Sequence, residues 1–135
     1  MMNIIEEPEW WHLPIENAIV MQCLVDFAFT LLFRDATDEV FDIRIEQPFT
    51  IQTPAGLTWF HAEERITELG PALDLHQKVL SSGRAYKNGV LTLIFLDGTT
   101  LQAHPDPQGN YEAWSIVETQ GTLMVSLPSG GLAIW

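Results

Sequence analysis

The chain has 135 residues, 47% of them hydrophobic and 18% charged, and it carries a formal net charge of −12. This length is typical of one domain with a core of its own, and the composition is that of a globular protein rather than a disordered one. Because the six basic residues form no stripe and the acidic surface would repel a phosphate backbone, we expect no nucleic-acid partner.

The cysteine content and the apolar runs indicate the cellular setting. Cys23 is the single cysteine and cannot form a disulfide within the chain, which favours a reducing cytoplasm. The N-terminus is acidic where a signal peptide would be basic. The apolar run from Ala18 to Phe33 is interrupted by Gln22 and Asp26 and falls short of the ~18 uninterrupted residues of a spanning helix. We therefore expect a soluble cytoplasmic protein without a membrane segment.

Residues 1–12 are expected to form a flexible acidic arm, because the run from Glu6 to Glu9 disfavours packing. Residues 13–135 are predicted to form a single β-rich domain, with apolar residues alternating at period two. From Phe27 to Phe33, for example, alternate positions are predicted to lie on one face. Strands are predicted over residues 18–24, 27–33, 40–46, 49–52, 57–60, 78–86, 90–96, 99–104, 111–117, 122–127 and 132–135.

Two connections can be predicted in more detail. A three-residue turn at 96–98, with its glycine in the left-handed conformation, pairs Leu93 with Leu101 and Leu91 with Ala103, so that apolar residues share a face. A two-residue turn would mix the faces. The segment from Ala62 to Leu75 has a weak amphipathic pattern divided by Gly70-Pro71, which predicts one or two short helical turns.

The two halves of the domain are similar in sequence. Residues 19–35 align without gaps on residues 81–97, and residues 54–60 match residues 129–135. The identical pairs in the gapless window are Thr30 and Thr92, Leu31 and Leu93, Phe33 and Phe95, and Asp35 and Asp97. We predict a mostly β fold: an antiparallel β-sandwich or open barrel of two similar halves, 13–61 and 76–135, joined by a short helical linker. The alternative is a single meander whose hairpins resemble one another.

The polar residues that follow the predicted hairpin are the best candidates for chemistry. His104, Asp106 and Glu112 could form a metal site or a general acid–base pair, since imidazole and carboxylates are the groups required. Their spacing matches no metal motif, and the alternative is turn chemistry at the Pro-Asp-Pro corner. We therefore expect no catalytic residue, metal or cofactor, and keep a pocket at these three residues as an alternative.

Exposed aromatic residues indicate a surface for a protein partner. Trp10 and Trp11 lie on the acidic arm, and Tyr111, Glu112 and Trp114 follow the proline corner. Tryptophan and tyrosine are enriched at binding hot spots, and acidic neighbours suit a basic partner. These five residues predict a non-catalytic protein-binding module, such as an immunity-type inhibitor of a basic toxin. A homodimeric structural protein that uses a sheet edge or the arm is the further alternative.

Residues 13–135 also resemble a family of small, uncharacterised bacterial proteins. The resemblance is carried by the hairpin pattern L-x-F-x-D-G-x-x-L, a Pro-Asp corner, the Y-E-A-W motif and a terminal Gly-Gly-Leu-Ala-Ile-Trp strand. In this chain the motif residues are Gly89, Leu91, Leu93, Phe95, Asp97, Gly98, Leu101, Pro105, Asp106, Tyr111, Glu112, Ala113, Trp114, Gly130, Gly131 and Trp135. The resemblance implies a fold and a bacterial cytoplasmic setting, and no catalytic residues.

Overall fold

A computed structural model describes residues 2–135 and confirms the mostly β fold. Over these residues the chain forms thirteen strands and one 3₁₀ helix, Ile66–Leu75. The strands are β1 (Ile5–Glu6), β2 (Trp10–Leu13), β3 (Ile19–Val25), β4 (Phe29–Arg34), β5 (Val40–Ile45), β6 (Phe49–Thr53), β7 (Gly56–Phe60), β8 (Leu80–Tyr86), β9 (Leu91–Phe95), β10 (Thr100–Ala103), β11 (Trp114–Glu118), β12 (Gly121–Ser126) and β13 (Leu132–Ile134). None of the described segments is a helix of the length and apolar character needed to cross a membrane.

The strands form two antiparallel sheets, as expected for a β-sandwich. Within residues 2–135 the seven-stranded sheet has the order β1-β2-β8-β9-β10-β6-β7, and the six-stranded sheet has the order β13-β12-β11-β5-β4-β3. The inward faces of both sheets share one hydrophobic core. Phe49 of the first sheet stacks between Phe29 of the second sheet and Phe60, with ring centroids 5.2 and 5.3 Å apart.

The hairpin of β9 and β10 has the predicted register. Leu93 lies opposite Leu101, and the Phe95 N–H donates to the Thr99 carbonyl at 2.9 Å. Gly98 has a φ of +89°, which is the left-handed conformation required by the bulged turn. The three-residue turn is confirmed because it alone keeps the apolar side chains of both strands on the core face.

The prediction of a flexible arm at residues 1–12 is wrong for the segments that form β1 and β2. Trp11 lies opposite Ala85 of β8 and packs against the core. The Lys87 N–H also donates to the Glu9 carbonyl at 2.9 Å. Glu6 ends β1 and pairs with Lys87, and residues 7–9 connect it to β2, whose residues extend the sheet.

The helical connection between the halves lies within the predicted segment but starts later, at Ile66. Pro71 falls inside it. Leu69, Ala72 and Leu75 are buried at every third residue, which is the period of a 3₁₀ helix. The weak pattern at period 3.6 therefore reflected a different helix type.

The two halves of the domain follow the same path. Each half contributes three consecutive strands to one sheet and the next two strands to the other sheet. In the first half these are β3-β4-β5 and β6-β7, and in the second half β8-β9-β10 and β11-β12. Gly56 and Gly121 begin β7 and β12 with φ values of +132° and +130°. The counterpart of β7 is thus β12 rather than β13, so the predicted match of residues 54–60 with 129–135 is wrong. Duplication of the sequence stays a prediction.

A buried hydrogen-bond clamp joins the two sheets at Gly89. Its carbonyl accepts the indole N–H of Trp114 at 2.8 Å and the hydroxyl of Ser126 at 2.9 Å. Gly89 has a φ of +99°, and a Cβ at this position would lie 3.0 Å from the Ser126 Oγ and 3.1 Å from the Pro105 Cγ. Only 1% of Trp114 is exposed, so the prediction that it contacts a partner is wrong. Its side chain stabilises the fold instead.

We expect Trp114→Phe to lower the free energy of unfolding by roughly 1–3 kcal/mol, because it removes one donor to Gly89 and leaves a small cavity. Ser126→Ala removes the other donor. The double variant should lose more stability than the sum of the two single variants, because the buried carbonyl is then left without a partner. Urea denaturation followed by circular dichroism measures all three. Additive losses, or an equal loss in the exposed control Trp59→Phe, would contradict the clamp.

Candidate functional site

A concave surface lies where the chain crosses between the sheets. Two adjoining hollows with volumes of about 300 and 320 Å³ are lined by the β5–β6 connection, the segment after β7 and the β10–β11 connection. Glu46, Gln47, Glu63 and Tyr111 line both hollows. We call this surface the Tyr111 groove; besides these four residues it includes Phe27, Arg44, Pro48, His61, Ala62, Glu64, Asp106, Pro107 and Gln108. The Glu46 N–H donates to the Ala113 carbonyl at 2.8 Å and thereby holds the two crossings together.

Two aromatic rings of the groove are unusually exposed, with 80% of Phe27 and 68% of Tyr111 accessible to solvent. Phe27 lies at the tip of the β3–β4 turn, where the Asp26 carboxylate accepts the Ala28 N–H at 2.8 Å. The prediction that Phe27 shares the inward face of Phe29 is wrong, because the turn reverses the chain at that residue. Large exposed rings that border a hollow are typical of a binding surface.

Asp106 shapes the loop that presents Tyr111. One carboxylate oxygen accepts the Gln108 N–H at 3.1 Å, and the other accepts the N–H groups of Asn110 and Tyr111, each at 3.0 Å. These hydrogen bonds favour the charged form and lower the pKa of Asp106. Asp106 is therefore the capping residue of the proline corner, as the turn-chemistry alternative predicts.

The groove is negatively charged and only partly neutralised. Arg44 contacts Glu46 at 3.5 Å and Asp26 at 3.3 Å, so its charge is shared between two carboxylates. Glu63 and Glu64 take part in no ion pair within residues 2–135. A cationic group in the groove would therefore meet two free carboxylates beside the Tyr111 ring.

The three polar candidates for chemistry are not brought together. His104 packs beside Trp59, with ring centroids 5.5 Å apart, and its burial lowers its pKa. Asp106 lines the groove, whereas Glu112 is exposed and lines neither hollow. Among residues 2–135, no three His, Cys, Asp or Glu side chains are grouped so that they could hold a metal ion. The predicted pocket at His104, Asp106 and Glu112 is therefore wrong as a common site.

The five predicted partner-binding residues lie in different places. Tyr111 forms the groove, and Glu112 follows it on the surface. Trp10 and Trp11 belong to β2, where Trp11 packs against the core. Sequence reasoning missed Phe27, Glu46, Glu63 and Glu64, which are distant from Tyr111 in the chain and give no shared signal. The closest to a sequence signal is the exposed pair Glu63-Glu64, which His61 and Ala62 separate from the buried end of β7 at Phe60.

Comparisons with known proteins place the chain in a family. The model of the family of unknown function DUF6188 matches residues 11–135, which is most of the chain. Neither a curated protein nor a solved structure matches it. The expectation of an uncharacterised family is confirmed. The chain therefore belongs to the family of unknown function DUF6188.

Proposed function

We propose that the protein is a non-catalytic binding module that takes a basic segment of a partner protein into the Tyr111 groove. The observation that carries this proposal is the pairing of two exposed aromatic rings, Phe27 and Tyr111, with the free carboxylates of Glu63 and Glu64. An immunity-type inhibitor of a basic toxin is the role that this chemistry supports best. The net charge of −12 adds to it by attracting a basic partner from a distance.

The aromatic rings and the carboxylates have different tasks in this proposal. Burial of a Phe or Tyr ring removes roughly 150–250 Å² of surface from water, which makes Phe27 and Tyr111 the source of affinity. An exposed ion pair contributes only about 0.2–1 kcal/mol, and an exposed cation–π contact about 0.5–1 kcal/mol. Glu63 and Glu64 therefore select for a cation and speed up encounter rather than hold the complex together.

The separation of the polar candidates supports a role without catalysis. A general base must reach the proton that it removes and needs a free lone pair to accept it. The Asp106 carboxylate already accepts three N–H groups, and His104 packs against Trp59 away from the groove lining. His104 and Asp106 thus form no acid–base pair in the groove.

Self-association is the second candidate function, and the edge strand β3 favours it. Ile19 and Val20 are already bonded to residues 77–79, which leaves Met21 to Val25 as the open part of this edge. None of these five residues is charged, and Leu24 and Val25 are 44% and 39% exposed. Edge strands that lack charges or proline are templates for pairing with another chain. A homodimer in which β3 pairs with its copy would correspond to the homodimeric structural protein that the sequence analysis keeps as an alternative.

Removing both free carboxylates, Glu63→Gln with Glu64→Gln, should weaken binding of an arginine–glycine peptide roughly 2- to 30-fold at low salt, since two exposed ion pairs are lost. Heteronuclear NMR titration measures the affinity and locates the shifts. The control Glu7→Gln with Glu9→Gln changes the net charge equally outside the groove and should have little effect. Equal weakening in the control, or unchanged binding in Tyr111→Ala, would overturn the proposal.

Asp106→Ala should release the Tyr111 loop without unfolding the sandwich. We expect faster amide exchange at Asn110 and Tyr111 and weaker peptide binding, because three hydrogen bonds are lost. Lowering the pH should loosen the same loop in the unmodified protein. The pKa of Asp106 is lower in the fold than its ordinary value of 3.8, so the loop is held fully above that pH and loosens below it. Exchange rates that match the unmodified protein would contradict this role.

Leu24→Lys should prevent dimerisation through β3, because the added charge would lie next to its own copy across the paired edges. Light scattering at increasing concentration would show a dimer for the unmodified protein and a monomer for the variant. Ile94→Lys, which places the same change on a half-exposed position of another sheet, is the matched control. A monomer at every concentration without substitution would remove the second candidate.

A further inference from the structure

The strand β7 forms an exposed and uncharged edge of the seven-stranded sheet. It lies last in the strand order, so β6 is its only strand neighbour among residues 2–135. Its five residues include no charged side chain and no proline, and all but the last, Phe60, are exposed. Proteins commonly protect an edge with a charge, a proline or a bulge, because its unpaired backbone groups can bond to another chain. The β7 edge has none of these features.

The hydrogen-bond register shows which backbone groups of β7 are unpaired. In an antiparallel sheet, alternate residues of a strand bond to the neighbour on one side, and the residues between them bond to the other side. The Phe95 N–H donates to the Thr99 carbonyl at 2.9 Å, which fixes this alternation for β9 and β10. The pairing of β10 with β6 and of β6 with β7 extends it to β7, where Thr58 bonds to β6. Leu57 and Trp59 therefore direct their N–H and C=O groups away from the sheet.

These backbone groups have the spacing of an extended peptide. Leu57 and Trp59 are two residues apart, which is about 6.8 Å along a strand, and each offers one N–H and one C=O group. Within residues 2–135, neither N–H donates to a side chain or to backbone outside the sheet. The side chains of the same two residues are 55% and 53% exposed. Main-chain groups give affinity and side chains give specificity when a peptide adds a strand to a sheet.

The end of the β7 edge leads into the Tyr111 groove. β7 ends at Phe60, and residues 61–64, which follow it directly, line the groove. Glu63 and Glu64 are exposed and form no ion pair within residues 2–135. A peptide that bonds to β7 therefore meets two carboxylates at one end of its strand, and charge complementarity selects cationic residues at that end.

We propose that the β7 edge binds the basic partner segment as an added antiparallel strand, with the cationic end of the segment in the Tyr111 groove. This inference rests on the function proposed above and specifies the form of its ligand. Antiparallel pairing places two alternate residues of the segment opposite Trp59 and Leu57, with their side chains on the same face as these two. Apolar side chains suit both positions. Because the two strands run in opposite directions, the cations must precede the apolar residues in the segment.

A second copy of this chain fits the β7 edge less well than a basic segment does. In an antiparallel pair of two β7 strands, Glu63 and Glu64 of one copy would lie beyond the Gly56 end of the other. The residues that precede Gly56, from 47 to 55, include no Lys or Arg. The two carboxylates would then face no cation, so the edge and the groove would not be used together.

Heteronuclear NMR titration of the full chain with the end-blocked peptide Arg-Gly-Arg-Gly-Ser-Val-Thr-Val tests the proposal. The two valines are designed to lie opposite Trp59 and Leu57, whose amides should shift and exchange more slowly. N-methylation of the first valine removes a hydrogen bond to β7 and should weaken binding at least about tenfold. N-methylation of the threonine, whose N–H points away from β7, is the matched control and should have little effect. The reversed sequence, with its cations last, should bind more weakly.

Four results would overturn the added strand. They are equal effects of the two N-methylations, equal binding of the reversed sequence, amide shifts confined to Met21 to Val25 of the β3 edge, and slow exchange at Leu57 and Trp59 that depends on protein concentration without peptide. The last result would assign the β7 edge to a second copy of the chain.

The same titration separates this inference from the proposed function. Shifts at Tyr111 with equal effects of the two N-methylations would overturn the added strand and leave the groove as the binding surface. A selective effect of N-methylation, with unchanged affinity in Glu63→Gln with Glu64→Gln, would overturn the selection of a cation by the groove and leave the β7 edge as a peptide site. Absence of binding at millimolar peptide would overturn both.

Discussion

The carbonyl oxygen of Gly89 is the point on which the assembly of the two sheets depends. It accepts hydrogen bonds from Trp114 and Ser126, which belong to neighbouring strands of the opposite sheet. In a buried setting an unpaired carbonyl is costly. The turn after β8 must therefore meet the start of β11, at Trp114, and the end of β12, at Ser126. Pro105 and Gly130 pack against the same glycine, which leaves no room for a side chain there.

This constraint also positions the candidate groove. Since β10 and β11 belong to different sheets and β11 is held at Gly89, residues 104–113 must cross between the sheets. The other crossing, between β5 and β6, is bound to it through Glu46 and Ala113. Asp106 then orders the remaining loop by accepting three N–H groups. The groove is thus a consequence of the sandwich topology, with Tyr111 and Phe27 placed at its border by two turns.

Charge divides the molecule into surfaces of different chemistry. Carboxylates without an ion pair border the groove, whereas on the seven-stranded sheet Arg84 forms no ion pair within residues 2–135 and lies over the Trp10 ring. The groove therefore suits a cation. The same β-strand alternation that buries Leu91 and Leu93 in the core places Thr92 on the opposite face of the sheet.

The sequence by itself determined the strands of residues 13–135, the bulged turn at Gly98 and the role of Asp106 at the proline corner, because each depends on neighbours within a few residues. It could not show that Trp10 and Trp11 extend a sheet, since their partners lie on β8. Nor could it show that Trp114 is buried or that Phe27, Glu63 and Tyr111 meet. Those facts depend on strand order, which brings together residues that are far apart in the chain and is decided only when both sheets close over one core.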